Sequence, residues 1–304
     1  MFQKTNVFIS GSSGFVGQNL VKYLGNHGVK YESLDLRRPV LADTLNGATS
    51  VIHMAGKAHD LKQVSDSDEY YAVNYELTKK LYDVFLKSDA TLFIFVSSVK
   101  AVADKVETVL TENVDPLPQT DYGKSKLMAE KYIQNQALPE GKSYYIMRPC
   151  MIHGPGNKGN LNLLYKFVKK GIPYPFAAFQ NQRSFLSVEN FCFILKEFIT
   201  RQDIPSGVYN VTDDEPLSTN DLIRLLASGQ NKKARLWKIP KQIIILIARL
   251  GDRIGLPLNT ERLDKLTENY KVSNNKVKKA INKSLPLTTI EGLTLTSKSF
   301  QNQG

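Results

Sequence analysis

A short apolar run, Val7-Phe8-Ile9-Ser10, leads directly into Gly11-Ser12-Ser13-Gly14-Phe15-Val16-Gly17, and helical spacing follows through Leu20, Tyr23 and Leu24. Glycines at this spacing between a strand and a helix restrict the backbone strongly. The first permits a tight turn, the second lets main chain approach a pyrophosphate, and the third lets the helix pack closely on the strand. The helix N-terminus then offers unpaired N–H groups and the positive end of its dipole to phosphate oxygens. A glycine triplet alone also occurs in ordinary turns, so its surroundings matter. Asp35 lies at the end of the next strand-like segment, Lys30–Leu36, eighteen residues past Gly17. A carboxylate there accepts both hydroxyls of an adenosine ribose, which favours NAD(H). Arg37 and Arg38 stand beside it and keep NADP(H) open, since a guanidinium can hold a 2′-phosphate.

Strand-like and helix-like segments then alternate. Ser50–His53 has strand length, and Tyr70–Leu86 carries apolar residues with a period near 3.6. Leu92–Val96 is continuously apolar, as expected of a strand buried on both faces of a parallel sheet. Asp121–Gln136 reads as a helix and Ser143–Met147 as a strand. The alternation predicts an α/β, Rossmann-type doubly wound parallel sheet with right-handed crossovers. After Arg148-Pro149 the texture changes: residues 153–160 are rich in turn formers, Leu161–Lys170 is helical, and Gly171–Pro175 is irregular. Val188–Thr200 reads as helix and Gly207–Val211 as strand, before helical pieces at Thr219–Ala227, Lys241–Ile254 and Glu261–Glu268. The expected organisation is a dinucleotide-binding body of residues 1–155 and about 185–212. A smaller, mostly helical C-terminal substrate lobe takes residues 156–184 and 213–304.

Composition excludes several classes. Hydrophobic residues make up 42% and charged residues 23% of 304, a globular balance without low-complexity tracts. The N-terminus has no basic leader with an apolar h-region, and the longest apolar run, Ile243–Ala248, is far short of the roughly 20 residues of a membrane span. A cytoplasmic protein is the expectation. Cys150 and Cys192 cannot build a disulfide framework. His27, His53, His59 and His153 lack metal-ligand spacing, so no metal is expected. The net charge of +11 is concentrated between Arg224 and Lys283, where fifteen Lys and Arg face four Asp and Glu. An acidic ligand, an anionic membrane surface and a solvated basic face all fit that excess. Nucleic acid does not, because only Trp237 and Tyr270 interleave the charges.

Tyr122-Gly123-Lys124-Ser125-Lys126 places Tyr122 and Lys126 on one helix face, and Ser97-Ser98 follows the buried strand at the carboxyl end of the sheet, where such folds bind ligands. A phenol titrates near 10 in water and is a poor base at neutral pH. An adjacent ammonium is expected to pull that value down. Tyr122 can then exchange a proton with a sugar hydroxyl or carbonyl while Ser98 holds the same oxygen. The plainer alternative is an amphipathic helix with a packed Tyr and a solvated Lys. Lys57 and His59 flank a loop near this site and are read either as substrate contacts or as solvated loop residues.

Over essentially its whole length the chain resembles the extended short-chain dehydrogenases/reductases of the NAD-dependent nucleotide-sugar epimerase/dehydratase family. The matching pieces are Gly11-x-x-Gly14-x-x-Gly17, Asp35, Val51–Gly56, Asn74, Phe95-Val96-Ser97-Ser98, Tyr122-x-x-x-Lys126 and Arg148-Pro149. The resemblance implies catalytic roles for Ser98, Tyr122 and Lys126. For the cofactor it implies Gly11, Ser13, Gly14, Phe15, Val16, Gly17, Asp35, Met54, Ala55, Gly56, Asn74, Ser97, Tyr122, Lys126, Pro149 and Met151. For a UDP-sugar substrate it implies Asn160, Leu161 and Arg183, the last because a guanidinium grips phosphate bidentately, with Lys57 and Ser98 beside the sugar. It also implies a homodimer through Tyr70–Leu86 and Asp121–Gln136. The family's 4,6-dehydratases carry an Asp-Glu pair after the catalytic hydroxyl, whereas this chain has Val99 and Lys100, which disfavours dehydration. Reduction at C4 of a UDP-4-keto-6-deoxy-N-acetylhexosamine is expected from the resemblance of Arg148–Leu161 to a subgroup found with bacterial surface-polysaccharide genes. A 4-epimerase with tightly bound NAD is the alternative. From another class, a non-catalytic dinucleotide-binding regulator commonly loses Tyr or Lys, and both are present here.

Overall fold

A computed structural model describes residues 5–57, 67–157, 160–255 and 258–301. In chain order the elements begin with β1 (Asn6–Ser10), α1 (Phe15–Asn26), β2 (Lys30–Leu34), β3 (Ser50–His53) and α2 (Ser67–Tyr71). A π-helical turn, Ala72–Glu76, joins α2 to α3 (Leu77–Lys87). Then come β4 (Leu92–Val96), β5 (Val109–Leu110), α4 (Asp121–Asn135), β6 (Ser143–Pro149), β7 (Met151–His153) and α5 (Asn160–Lys169). The remainder is β8 (Phe185–Ser187), α6 (Val188–Thr200), β9 (Gly207–Val211), α7 (Thr219–Ser228), α8 (Lys241–Ile254), α9 (Thr260–Thr267), β10 (Lys271–Val272), α10 (Asn275–Ile281) and α11 (Thr289–Gln301).

The main sheet has six strands in the order β2-β1-β3-β4-β6-β9, every neighbouring pair parallel. This is the expected doubly wound sheet with one strand fewer on the β2 side than the order 3-2-1-4-5-6. The chain reverses its direction of winding between β1 and β3, and the crevice at that switch point is where open α/β sheets take ligands. The β2-to-β3 connection is made of turns rather than a helix.

Period-two alternation explains the two cores. Val7, Ile9, Ile52, Ile94, Tyr145, Met147, Tyr209 and Val211 face one way, where Leu20 and Leu24 of α1 and Phe191 and Leu195 of α6 cover them. Phe8, Val51, Phe93, Phe95, Ile146 and Val208 face the other way, toward Leu81, Tyr82 and Phe85 of α3 and Ala129 and Ile133 of α4. Burial on both sides is why these strands read as apolar runs. A third cluster gathers Leu161 and Tyr165 of α5, Phe185 of β8, Leu222 and Leu226 of α7, and Leu293 and Phe300 of α11.

Several expectations shift. The segment Tyr70–Leu86 is two α-helices interrupted by the π turn. The short pairs β7–β8 and β5–β10 make two additional two-stranded sheets, and α10 and α11 fill the region beyond residue 270 that showed no clear period. No helix among the described residues is long and apolar enough to cross a membrane.

Phe93 is fully buried between Tyr82 and Phe85, with ring centroids 5.0 and 5.2 Å away. Phe93→Ala is expected to cost about 3–5 kcal/mol, read as a lower urea midpoint with an unchanged m-value.

Candidate active site

The glycine loop fits a pyrophosphate on steric grounds. Gly11 has φ +74°, and a Cβ on it would stand 2.7 Å from the Ala55 nitrogen. A Cβ on Gly17 would fall 2.2 Å from the Gly11 carbonyl oxygen. Both positions therefore require glycine for the loop, α1 and the Met54–Ala55 segment to close together. Gly14 is the N-cap of α1, and no side chain caps that end, so the first-turn N–H groups are left for an anion. Ser13 is exposed, while Phe15 and Val16 turn their side chains against the core and offer main chain to the loop. Met54 and Ala55 are tied to the end of β1 by bonds from their N–H groups to the Ser10 carbonyl (3.2 Å) and hydroxyl (3.2 Å).

Asp35 stands just beyond β2, and Arg37 folds onto it. The guanidinium Nε and Nη2 donate to the two carboxylate oxygens at 2.8 and 3.0 Å. That fork holds the Asp35 carboxyl below the usual carboxylate range. The carboxylate expected at a ribose and the cation expected at a 2′-phosphate thus form one exposed pair at the cleft mouth.

Ser98, Tyr122 and Lys126 converge at the carboxyl end of β4. Ser98 caps the short 3₁₀ turn Val99–Ala101, accepting from the Lys100 N–H at 3.2 Å, and its hydroxyl is hydrogen-bonded to the Tyr122 phenol. Lys126 is buried rather than solvated and donates to the Val96 carbonyl at 3.0 Å. Its ammonium also lies over the Phe95 ring, 4.9 Å from the centroid. Burial lowers the Lys126 ammonium to about 8, with nearby Glu130 opposing the shift. Burial likewise pushes the Tyr122 phenol above its ordinary value, with the Ser98 hydrogen bond opposing. This reverses the direction expected from the Tyr–Lys pair: in the protein alone, loss of water is the largest influence on the phenol.

Beneath the trio lies a fully buried ion pair. The Arg148 Nε donates to both Glu130 oxygens at 3.0 Å and its Nη2 to Oε2 at 2.5 Å. The Ser97 hydroxyl also donates to Glu130 and so anchors the end of β4 to α4. Asn74 is likewise fully buried. Its amide receives the Lys57 N–H (2.8 Å) and donates to the Lys57 carbonyl and the Ser125 hydroxyl, both at 3.1 Å. With both amide ends engaged, Asn74 braces the Gly56–Lys57 segment against α4, and it does so from the π turn. Lys57 is no solvated residue either, since its ammonium pairs with Glu69. His53 is buried and neutral. Its ring joins the Ser10 and Thr78 hydroxyls at 2.6 and 2.9 Å, and burial with the Lys126 charge drops its pKa to about 3.

Further along, Pro149 is buried at the end of β6 and Met151 is half-buried in β7. Cys150 is a buried thiol that burial pushes well above its usual value. The Leu161 side chain is buried in the third cluster with Tyr165 and Phe300. Asn160 opens α5, and His59 and Gly159 lie outside the described residues. Arg183 exchanges main-chain bonds with Leu217, and its guanidinium stands 3.8 Å from the Glu268 carboxylate.

Sequence reasoning missed the seam between the catalytic strand and this region. The Tyr270 hydroxyl donates to the Ala103 carbonyl at 2.7 Å, and the Lys100 ammonium lies 4.4 Å over the Tyr270 ring. Tyr270 also pairs with Arg183 in a β-bridge. The Glu130–Arg148 pair was equally hidden, although Glu130 shares the Lys126 face of α4 at i+4. Among the described residues no cluster of His, Cys, Asp and Glu could hold a metal ion.

A parallel sheet with a phosphate-shaped glycine turn at its switch point and Ser, Tyr and Lys at the end of β4 defines a nicotinamide-dependent oxidoreductase of the extended short-chain class. The chain belongs to the NAD dependent epimerase/dehydratase family, whose model matches residues 7–212. It is 30% identical to a UDP-glucose 4-epimerase of Vibrio cholerae, over 97% of this chain and 95% of that one. It is also 30% identical to the N-acetyl-alpha-D-glucosaminyl-diphospho-ditrans,octacis-undecaprenol 4-epimerase of Escherichia coli O157:H7, over 90% and 85% of the two chains. Its fold superposes on MoeE5 in complex with UDP-glucuronic acid and NAD with a TM-score of 0.77, at 18% identity, covering 98% of this chain and 100% of that one.

Two measurements test the site. Glu130→Gln strips the buried Arg148 of its counter-charge and is expected to cost about 3–5 kcal/mol, with Glu130→Gln/Arg148→Met recovering most of it; urea unfolding reads both. The depressed Lys126 value has a definite sign. The unfolded chain binds the proton more tightly, so this residue adds stability as pH rises from about 8 toward the free-lysine value. In a ¹³C-lysine NMR titration one Cε resonance is expected to titrate near pH 8 and to vanish in Lys126→Met.

Proposed function

We propose that this enzyme acts at C4 of a UDP-activated sugar and runs the reaction as a 4-epimerisation with its dinucleotide retained. The observation that carries the reading is the buried convergence of Ser98, Tyr122 and Lys126, followed by Val99 and Lys100 where a dehydratase needs carboxylates. Tyr122 exchanges the proton of the C4 oxygen, Ser98 holds that oxygen by hydrogen bond, and the Lys126 ammonium favours the phenolate. The nicotinamide, when bound, supplies the acceptor and donor of hydride. Glu130, Arg148 and Ser97 hold α4 against β4 and β6, so that the three groups keep one geometry. In this reading residues 1–155 and 185–212 hold the dinucleotide. Residues 156–184 and 213–304 close over the sugar nucleotide, with Arg183 on its diphosphate.

Epimerisation is preferred to reduction because two relatives at 30% identity over nearly whole chains are 4-epimerases. The reductase expected from Arg148–Leu161 uses the same three residues and differs in releasing its dinucleotide each cycle. A second reading replaces UDP by a polyprenyl diphosphate, the carrier named in the E. coli relative. It is favoured by the apolar face that α8 leaves in solvent.

Protein purified without added nucleotide is expected to release NAD on denaturation and to interconvert C4 isomers of a UDP-hexose or UDP-N-acetylhexosamine. Consumption of added NADH or NADPH by a UDP-4-keto sugar, without isomerase activity, would establish the reductase instead. Turnover of a polyprenyl-diphosphate sugar but no UDP-sugar would establish the second reading. Tyr122→Phe is expected to lower turnover by roughly 10²–10⁴-fold with an unchanged dinucleotide content.

A further inference from the structure

α8 is built inside out. Only Ile244, Ala248 and Gly251 are buried, a narrow stripe that packs with Leu263 of α9 and against Phe176, Phe179, Ile239 and Leu258. Ile243, Leu246, Ile247, Leu250 and Ile254 are exposed, Leu246 at 59% and Ile254 at 69%. At about 100° per residue these five fall on one arc of roughly 100°, adjoining the buried stripe. Arg249 and Arg253 follow on the far edge of that arc. A soluble helix puts its apolar face inward and its charges outward, whereas here most of the apolar face meets solvent.

The charges that flank this helix along the chain are mostly of one sign. Residues 232–253 contain Lys232, Lys233, Arg235, Lys238, Lys241, Arg249 and Arg253 against a single acid, Asp252. The Asp252 carboxylate is engaged by the Thr260 N–H at 3.0 Å and hydroxyl at 2.5 Å, so it is tied to the first residue of α9. Lys232, Lys233 and Arg235, with Lys170, line a hollow of about 420 Å³ just ahead of α8. Trp237, the chain's single tryptophan, is 57% exposed four residues before the helix starts. An exposed apolar helix face edged with arginine, preceded by tryptophan and a lysine cluster, is the composition of a helix lying in a bilayer interface.

We propose that the outer face of α8 docks this protein onto an anionic phospholipid bilayer, with Ile243, Leu246, Ile247, Leu250 and Ile254 among the acyl chains and the flanking Lys and Arg on the headgroups. A second copy of the chain fits the face less well, because it would set two clusters of seven cations against each other. The docking surface includes none of Ser98, Tyr122 and Lys126, and it holds for either carrier of the sugar.

The test uses the full-length protein in flotation with phosphatidylglycerol-containing vesicles and with pure phosphatidylcholine vesicles, while Trp237 emission is followed. Wild type is expected to float with the anionic vesicles at low ionic strength, its emission shifting to shorter wavelength, and to bind less as salt is raised. Leu246→Glu/Leu250→Glu changes only exposed positions. It is expected to keep the melting temperature and turnover of wild type and to lose roughly tenfold or more of the binding. Wild type that stays in the aqueous phase with unshifted emission would overturn the proposal, as would equal binding by the double variant. Absence of vesicle binding together with a dimer that Leu246→Glu/Leu250→Glu dissociates would give the face to a second copy instead.

Discussion

The Arg148 guanidinium and the Glu130 carboxylate meet where water does not reach, and the geometry of the catalytic end of the sheet follows from that contact. Arg148 projects from β6, Glu130 from α4, and Ser97 at the end of β4 completes the cluster. Three elements of one stretch of the chain, β4, α4 and β6, are thereby locked to one point. A buried charge pair contributes little net stability when whole but a large penalty when broken, so it acts as a register pin. α4 can settle against β4 in one translation only, and that translation presents Tyr122 to Ser98 and Lys126 to Val96. Glu130 also keeps a negative charge near the Lys126 ammonium, so the fixture that sets position also holds the proton on the lysine against the drying effect of burial.

The parallel sheet was legible because its strands are buried on both faces. Runs such as Leu92–Val96 leave few alternatives, and a glycine whose Cβ would collide with main chain has little freedom to vary. Tyr122, Lys126 and Ser98 were legible for a related reason, since spacing on a helix and position at a strand end are local properties. What was hidden depends on long-range contacts. Asn74 and Ser97 could be picked out by position, but whether an amide or a hydroxyl faces a cleft or a neighbouring helix is decided by Ser125, Lys57 and Glu130. Strands of two or three residues carry no period, so β5, β7, β8 and β10 left no trace. α10 is only seven residues long, and α11 is rich in Ser and Thr, whose side chains compete for backbone hydrogen bonds and weaken a helix signal. Their helicity is supported by Val277, Ile281, Leu293 and Phe300, which packing alone reveals.

Charge location carried more meaning than charge total. The catalytic half is balanced, and its ionic groups are spent on fixtures such as Glu130–Arg148 and Lys57–Glu69. The basic excess lies where α8 shows an apolar face to solvent. The two regions therefore contrast: a dry cleft that shifts a phenol and an amine, and a basic region whose helix leaves apolar side chains exposed.

The π turn at Ala72–Glu76 is equivalent to one residue spliced into a continuous helix. The extra residue turns the helix that follows by about 100° relative to the one before. Asn74 reaches Ser125 while Tyr70 reaches the ring of Tyr122 and Leu81 reaches the sheet core, a set of directions that an unbroken α-helix of the same sequence could not serve together. Removing one residue from this turn would restore a regular helix and improve its hydrogen bonding, yet it would swing one end or the other out of phase with its partners. The turn is thus a frame marker. The constraint it imposes is on length: the count of residues between the brace at the cleft and the helix that covers the sheet matters more than the identity of each.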